Sequence, residues 1–152
     1  MTETPRTVDD AIGRATADLV SVARDFVDAK ADDVFVYGSM EATTLKADMF
    51  FALDGSFYER HELASAPEPL GSCDTDIPRQ RLYVRELTKV LRELHEVCKA
   101  HDWPRPTELK VHFAEATRTV RTDVDHDVKW FGLEGLTPSD VFAEWVRSVR
   151  GR

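Results

Sequence analysis

Hydrophobic residues recur at steps of four and three at the start of the chain, at Val8, Ile12, Ala15, Leu19, Val22 and Phe26. That spacing predicts a helix with one apolar face. Thr7 stands where an N-cap belongs, and Asp9 and Asp10 fall in the first turn, where the helix dipole favours acid. From Asp33 the period changes to two. VFVYGSM is rich in β-branched and aromatic residues, and from Thr43 to Leu53 Lys46 and Asp48 alternate with Leu45, Ala47, Met49 and Phe51. Asp54-Gly55 then reads as a hairpin turn, since both residues tolerate positive φ, and SFYERHE as the returning strand. The pattern predicts an antiparallel three-stranded meander over residues 34–62.

Residues 63–80 contain three prolines and a glycine and read as one long acidic loop. A second helix is expected from Arg81 to His101, with Tyr83, Leu87, Val90, Leu91, Leu94, Val97 and Cys98 as its apolar stripe. Trp103-Pro104-Arg105-Pro106 ends it, because a residue before proline is pushed out of the helical region. Leu109, Val111 and Phe113, and then Val120, Thr122 and Val124, alternate with polar residues as a second hairpin. The alternation continues through His126, Val128 and Trp130, which extends the last strand. Thr137-Pro138-Ser139-Asp140 opens a final helix whose apolar face is Val141, Phe142, Trp145, Val146 and Val149. The expected fold is a single α+β domain of order α-βββ-α-ββ-α, an antiparallel sheet with helices packed on it.

Composition narrows the function classes. At 152 residues with 42% hydrophobic and 32% charged residues, the chain can bury a core of its own and is too apolar for disorder. Its 20 Lys and Arg stand against 28 Asp and Glu, a formal charge of -8 that disfavours a nucleic-acid partner and favours a basic protein. The start MTETPRTVDD has neither a basic nor an apolar leader region, and no apolar run approaches a membrane span. Cys73 and Cys98 form no disulfide pattern, so the expected compartment is the cytoplasm.

No catalytic constellation stands out. Asp123, Asp125, Asp127 and Glu134 fall at positions one, three, five and twelve of a calcium-loop spacing. The turn glycine is missing, though, since Val128 holds that place. Three aspartates at two-residue steps on a strand read better as a solvated acidic row able to meet lysines or arginines on a partner. His95 and Cys98 share a helix face without further zinc ligands near them in sequence. Ser39 and Ser72 lack a nucleophile motif, there is no Gly-rich phosphate loop, and Glu41, Asp48 and Glu59 read as exposed strand carboxylates. No cofactor or metal is therefore expected. Trp103, Trp130 and Trp145 each suit a half-buried core position. Trp130 or Phe131, exposed beside the aspartates, would serve as an interface anchor. Glu62, Glu68, Asp74 and Asp76 in and beside the 63–80 loop make a second acidic stretch.

The order of motifs resembles the YezG-like immunity proteins, antitoxins of polymorphic bacterial nuclease toxins. The resemblance rests on an N-terminal helix followed by DVFVYGSM, the strand and turn DMFFALDGSFY, and the helix LTKVLRELHEVCKAHDW. It continues through the hairpin LKVHFAEATRTVRTDVDHDVKWF and the last helix FAEWVRSV. The family's last strand tends to end in Asp-x-x-Tyr, where this chain has Asp127-Val128-Lys129-Trp130. The resemblance implies a non-enzymatic inhibitor covering a basic toxin surface, as monomer or homodimer. Two other readings are a secretion-chaperone-like module, typically a dimer wrapping an extended client, and a metal-dependent sensor or small enzyme built on the aspartate row.

Overall fold

In a computed structural model, described here for residues 5–41 and 44–151, strand β1 (Asp33–Ser39) is buried over nearly its whole length. Successive strand residues point to opposite faces, so an unbroken apolar run needs cover on both. The sheet supplies it with five antiparallel strands in the order β3-β2-β1-β4-β5, with β2 at Lys46–Leu53, β3 at Ser56–Glu59, β4 at Glu108–Ala114 and β5 at Thr119–Asp125. Helices α1 (Val8–Phe26) and α2 (Ile77–Ala100) pack on one face over Val34, Val36, Met49, Phe51, Leu109 and Val111. Helix α3 (Pro138–Arg150) covers the other over Phe35, Tyr37 and Phe50.

The expected α-βββ-α-ββ-α order is the one the structure has. Thr7 caps α1 by accepting the Asp10 N–H at 3.1 Å. Asp54 and Gly55 turn the β2–β3 hairpin with φ of 52° and 81°. Thr43 and the polar residues 1–4 lie outside the described residues.

Three boundaries move. SFYERHE stops being strand at Glu59, where a 3-10 turn over Arg60–Ser65 begins. It opens with a capping box in which Glu62 accepts the Glu59 N–H at 2.9 Å. The 63–80 segment is not one loop. It holds half of that turn and another at Leu70–Ser72, and it inserts Leu63, Leu70 and Cys73 into the larger core. Its last residues open α2, which starts at Ile77, not Arg81, because Asp76 caps it and Pro78 occupies its first turn. The last strand ends at Asp125. Asp125 Oδ1 accepts the Asp127 N–H at 2.9 Å, and the Thr107 hydroxyl donates to the Asp127 carbonyl at 2.6 Å, turning the chain away from the sheet.

α2 crosses β1 so closely that a Cβ on Gly38 would stand 2.7 Å from Leu91 Cδ2. Gly38→Val should therefore destabilise the fold by about 1–3 kcal/mol through overpacking, read as a lower urea midpoint. Leu91→Ala in the same chain should recover part of the loss.

α1 is tied to the end of β4 by a two-point ion pair. Arg24 Nε donates to Glu115 Oε2 at 2.9 Å and its Nη2 to Oε1 at 2.6 Å. This bond holds the Glu115 carboxyl below its usual 4.5. The stabilisation is therefore complete above that value and is lost as pH falls through the lowered folded one. Urea midpoints measured from pH 6 down to pH 3 should fall less steeply in Glu115→Gln than in the parent chain.

Candidate partner-binding surface

The α3 face of the sheet is apolar under the helix and charged beside it. Phe35 and Phe50, cross-strand partners, stack at 4.4 Å, and Trp145 meets the Phe50 ring edge-on at 5.1 Å. Toward β4 and β5 the same face carries Glu108, Lys110 and His112 opposite Asp125, Asp123 and Arg121. Between these residues and α3 lies a cleft of about 370 Å³ lined by Lys110, Asp123, Lys129, Leu136, Glu144 and Trp145. It adjoins a second of about 210 Å³ that reaches His112, Arg121 and Val149.

The aspartate row is divided by its surroundings. Asp123 accepts from Arg121 Nε at 3.4 Å. Asp125 pairs with Lys129, whose bond, together with the Asp127 N–H, holds its carboxyl below the usual range. Asp127 lies past the strand end and is exposed. These carboxylates alternate with Lys110, Arg121 and Lys129 and so form a mixed-charge surface instead of a uniformly acidic one.

Beyond Asp125, residues 126–136 leave the sheet and carry a run of exposed apolar side chains. Val128 and Phe131 are each 57% exposed, Leu133 48% and Leu136 43%. Irregular backbone of this kind needs partners for its amides. Glu41, which follows β1 and is 2% exposed, supplies them. Its Oε1 accepts the Lys129 N–H at 2.7 Å and the Phe131 N–H at 3.4 Å, and its Oε2 accepts the Trp130 N–H at 3.2 Å. The Trp130 indole N–H donates to Ser39 Oγ at 3.0 Å, fixing the ring edge-on to Phe131. Gly132 and Gly135 turn the chain with φ of 76° and 78° in open space.

Glu41 is the residue the sequence pattern misplaces, since it is an anchor in the interior and not an exposed strand carboxylate. A charge directly after seven mostly apolar residues was its one signal. Trp130, expected at the end of the last strand, instead belongs to this anchored segment. Phe131 is exposed beside it. Beneath them, Tyr37 donates to buried Glu108 at 2.8 Å, and burial followed by the Glu108 charge pushes its phenol well above the ordinary range.

The second acidic stretch sits elsewhere. Glu62 follows β3, at the sheet edge opposite β5, and accepts from Arg150 at 2.5 Å. Burial opposes its ionisation, but the Glu59 N–H and Arg150 outweigh that and hold it low. Asp74 and Asp76 start α2, where Asp76 accepts the Arg79 N–H at 2.8 Å and the Asp74 carbonyl accepts from the Arg79 guanidinium. Glu68 is exposed between the two 3-10 turns. The two acidic stretches therefore do not form one surface.

Among the described residues, the one group of three metal-ligating side chains close enough to share an ion is Glu59, His61 and Glu62, with ligand atoms within 4.8 Å. Asp123, Asp125, Asp127 and Glu134 do not converge in that way. His95 lies 2.7 Å from Arg105, and burial, aided by that charge, lowers its pKa. Cys73 and Cys98 are separate buried thiols, each pushed up by burial. His112 is oriented by Asp33 at 2.8 Å and stacks on Phe35, yet Ser148, the hydroxyl lining the neighbouring cleft, makes no hydrogen bond to it. No helix among the described residues is long and apolar enough to cross a membrane. No model of a known family matches the chain, and no curated protein is significantly similar to it.

Replacing Glu41 with Ala should strip three amides of their acceptor. The expected cost is about 1–3 kcal/mol in urea unfolding. Amides 129–131 should exchange with deuterium faster by a larger factor than those of β1.

Proposed function

We propose that this chain is a non-enzymatic immunity protein that binds and inhibits a basic toxin domain, a bacterial nuclease by the resemblance of its motifs. The observation that carries the reading is the anchored segment 126–136. Four large apolar side chains stand in water within nine residues, on backbone held by a buried carboxylate. Exposed apolar groups gathered in this way mark binding surfaces. Their prior fixation lowers the entropy a partner must remove on binding. Asp127 and Glu134 rim the segment, and the overall charge of -8 would speed encounter with a cationic partner. A tight inhibitor needs no chemistry of its own; it needs an aromatic anchor and a polar rim.

One observation favours a second reading, an acidic secretion-chaperone-like protein. Among the described residues β5 ends the sheet without a strand on its outer side, and an extended client could add there. The two readings place their partners on different residues.

The test is binding and protection with the toxin domain encoded beside the gene. Calorimetry should give a complex that weakens as salt rises, and co-expression should restore growth. Phe131→Asp should leave the circular dichroism spectrum and melting temperature unchanged, because the ring is mostly in solvent. It should weaken the complex about 30-fold or more, as loss of an interface anchor does. An unaltered affinity, or no protection at low salt, would remove this reading.

A further inference from the structure

We propose that β5 pairs with β5 of a second copy of this chain, antiparallel and centred on Thr122, joining the two sheets across a two-fold axis.

The backbone sets which residues can pair. The Met40 N–H donates to the Thr107 carbonyl and the Glu115 N–H to the Asp32 carbonyl, both at 2.8 Å. Residues alternate in an antiparallel ladder, so 109, 111, 113 and 115 turn their backbone groups toward β1, and 108, 110, 112 and 114 turn theirs toward β5. At the strand's start the Thr107 carbonyl faces β1 while its N–H donates to the Asp125 carbonyl at 2.8 Å. The register partners of 108, 110, 112 and 114 are Asp125, Asp123, Arg121 and Thr119. The N–H and C=O groups of Val120, Thr122 and Val124 therefore face off the edge of the sheet, where no further strand lies among the described residues.

A symmetric pairing must set outward residues against outward residues, and the side chains then choose among the registers. Centring on Arg121 or Asp123 puts like charges opposite each other, which is unfavourable. Centring on Thr122 puts Arg121 opposite Asp123 of the second copy, and Asp123 opposite its Arg121. Val120 meets Val124 twice, and all seven residues of the strand overlap. The charged pairs fall on the α3 face and the valines on the α1–α2 face, so each row continues its own kind. The same register accounts for two exposed β-branched residues, Val120 at 53% and Val124 at 39%, and for Arg121 and Asp123 lying in solvent. The other edge is a poorer template: β3 spans four residues against seven in β5. This surface is the strand's outer edge, separate from segment 126–136, so the proposal stands apart from the toxin-binding reading.

Analytical ultracentrifugation of the full chain over a concentration series tests it. The parent chain should reach a dimer. Thr122→Pro should be monomeric and still folded, because the N–H it removes points away from β4, with a small fall in melting temperature from the lost Thr122 hydroxyl bond to Thr16. Arg121→Asp and Asp123→Arg should each raise the dimer dissociation constant by about tenfold or more, since each sets like charges opposite. An equimolar mixture of those two variants should form a heterodimer, and R121D/D123R in one chain should restore the homodimer. A parent chain that stays monomeric throughout overturns the proposal. So does a dimer indifferent to Thr122→Pro, or one that the double exchange fails to restore.

Discussion

The requirement that β1 be buried on both faces organises this molecule. Val34 and Val36 need cover on one side, and Phe35 and Tyr37 on the other. An antiparallel sheet often leaves one face to water, but a central strand of this composition cannot. Two helices close the first face, and Gly38 lets α2 approach within contact of the strand. The second face is closed by α3 alone. That helix packs over β1, β2 and Phe57 of β3, so the β4–β5 side of that face remains open, charged and cleft-like. The charged clefts beside α3 are the part of the sheet that the third helix does not reach, and segment 126–136 crosses the end of that side.

That open side explains the role of Glu41. Beyond β5 the chain must return across the sheet's end to begin α3, and it does so without regular structure. A carboxylate just past β1 meets three amides of the returning segment, so the strand that defines the core also fixes the exposed apolar side chains. Leaving the amides of 129–131 without an acceptor would loosen the segment, and with it Trp130 and Phe131. The core and the exposed apolar segment thus meet at one buried charge.

Local signals carried most of the fold. The helical stripe from Val8 to Phe26, the Thr7 and Thr137 caps, the Asp54-Gly55 turn and the alternation in β4 each depend on residues a few positions apart. The misread positions depend on partners far along the chain. Residues 126–130 keep a strand-like alternation but turn away, because Glu41, 88 residues before Lys129, offers a better acceptor than a strand neighbour. Segment 63–80 looks like a loop by its prolines, yet Leu63, Leu70 and Cys73 serve the core. Its end is a helix start of the same form as Thr137-Pro138. The exposure of Phe131 could be picked from sequence, since the segment is short of other cover. The charge pattern on the α3 face could not, because it arises from the pairing of β4 with β5.

The most direct test of the surface assignment is hydrogen–deuterium exchange of the full chain with and without the proposed partner, a basic toxin domain. Protection on complex formation should concentrate in residues 126–136 and leave 66–76 unchanged. Protection of 66–76 with none in 126–136 would contradict the assignment and move the binding site to the start of α2.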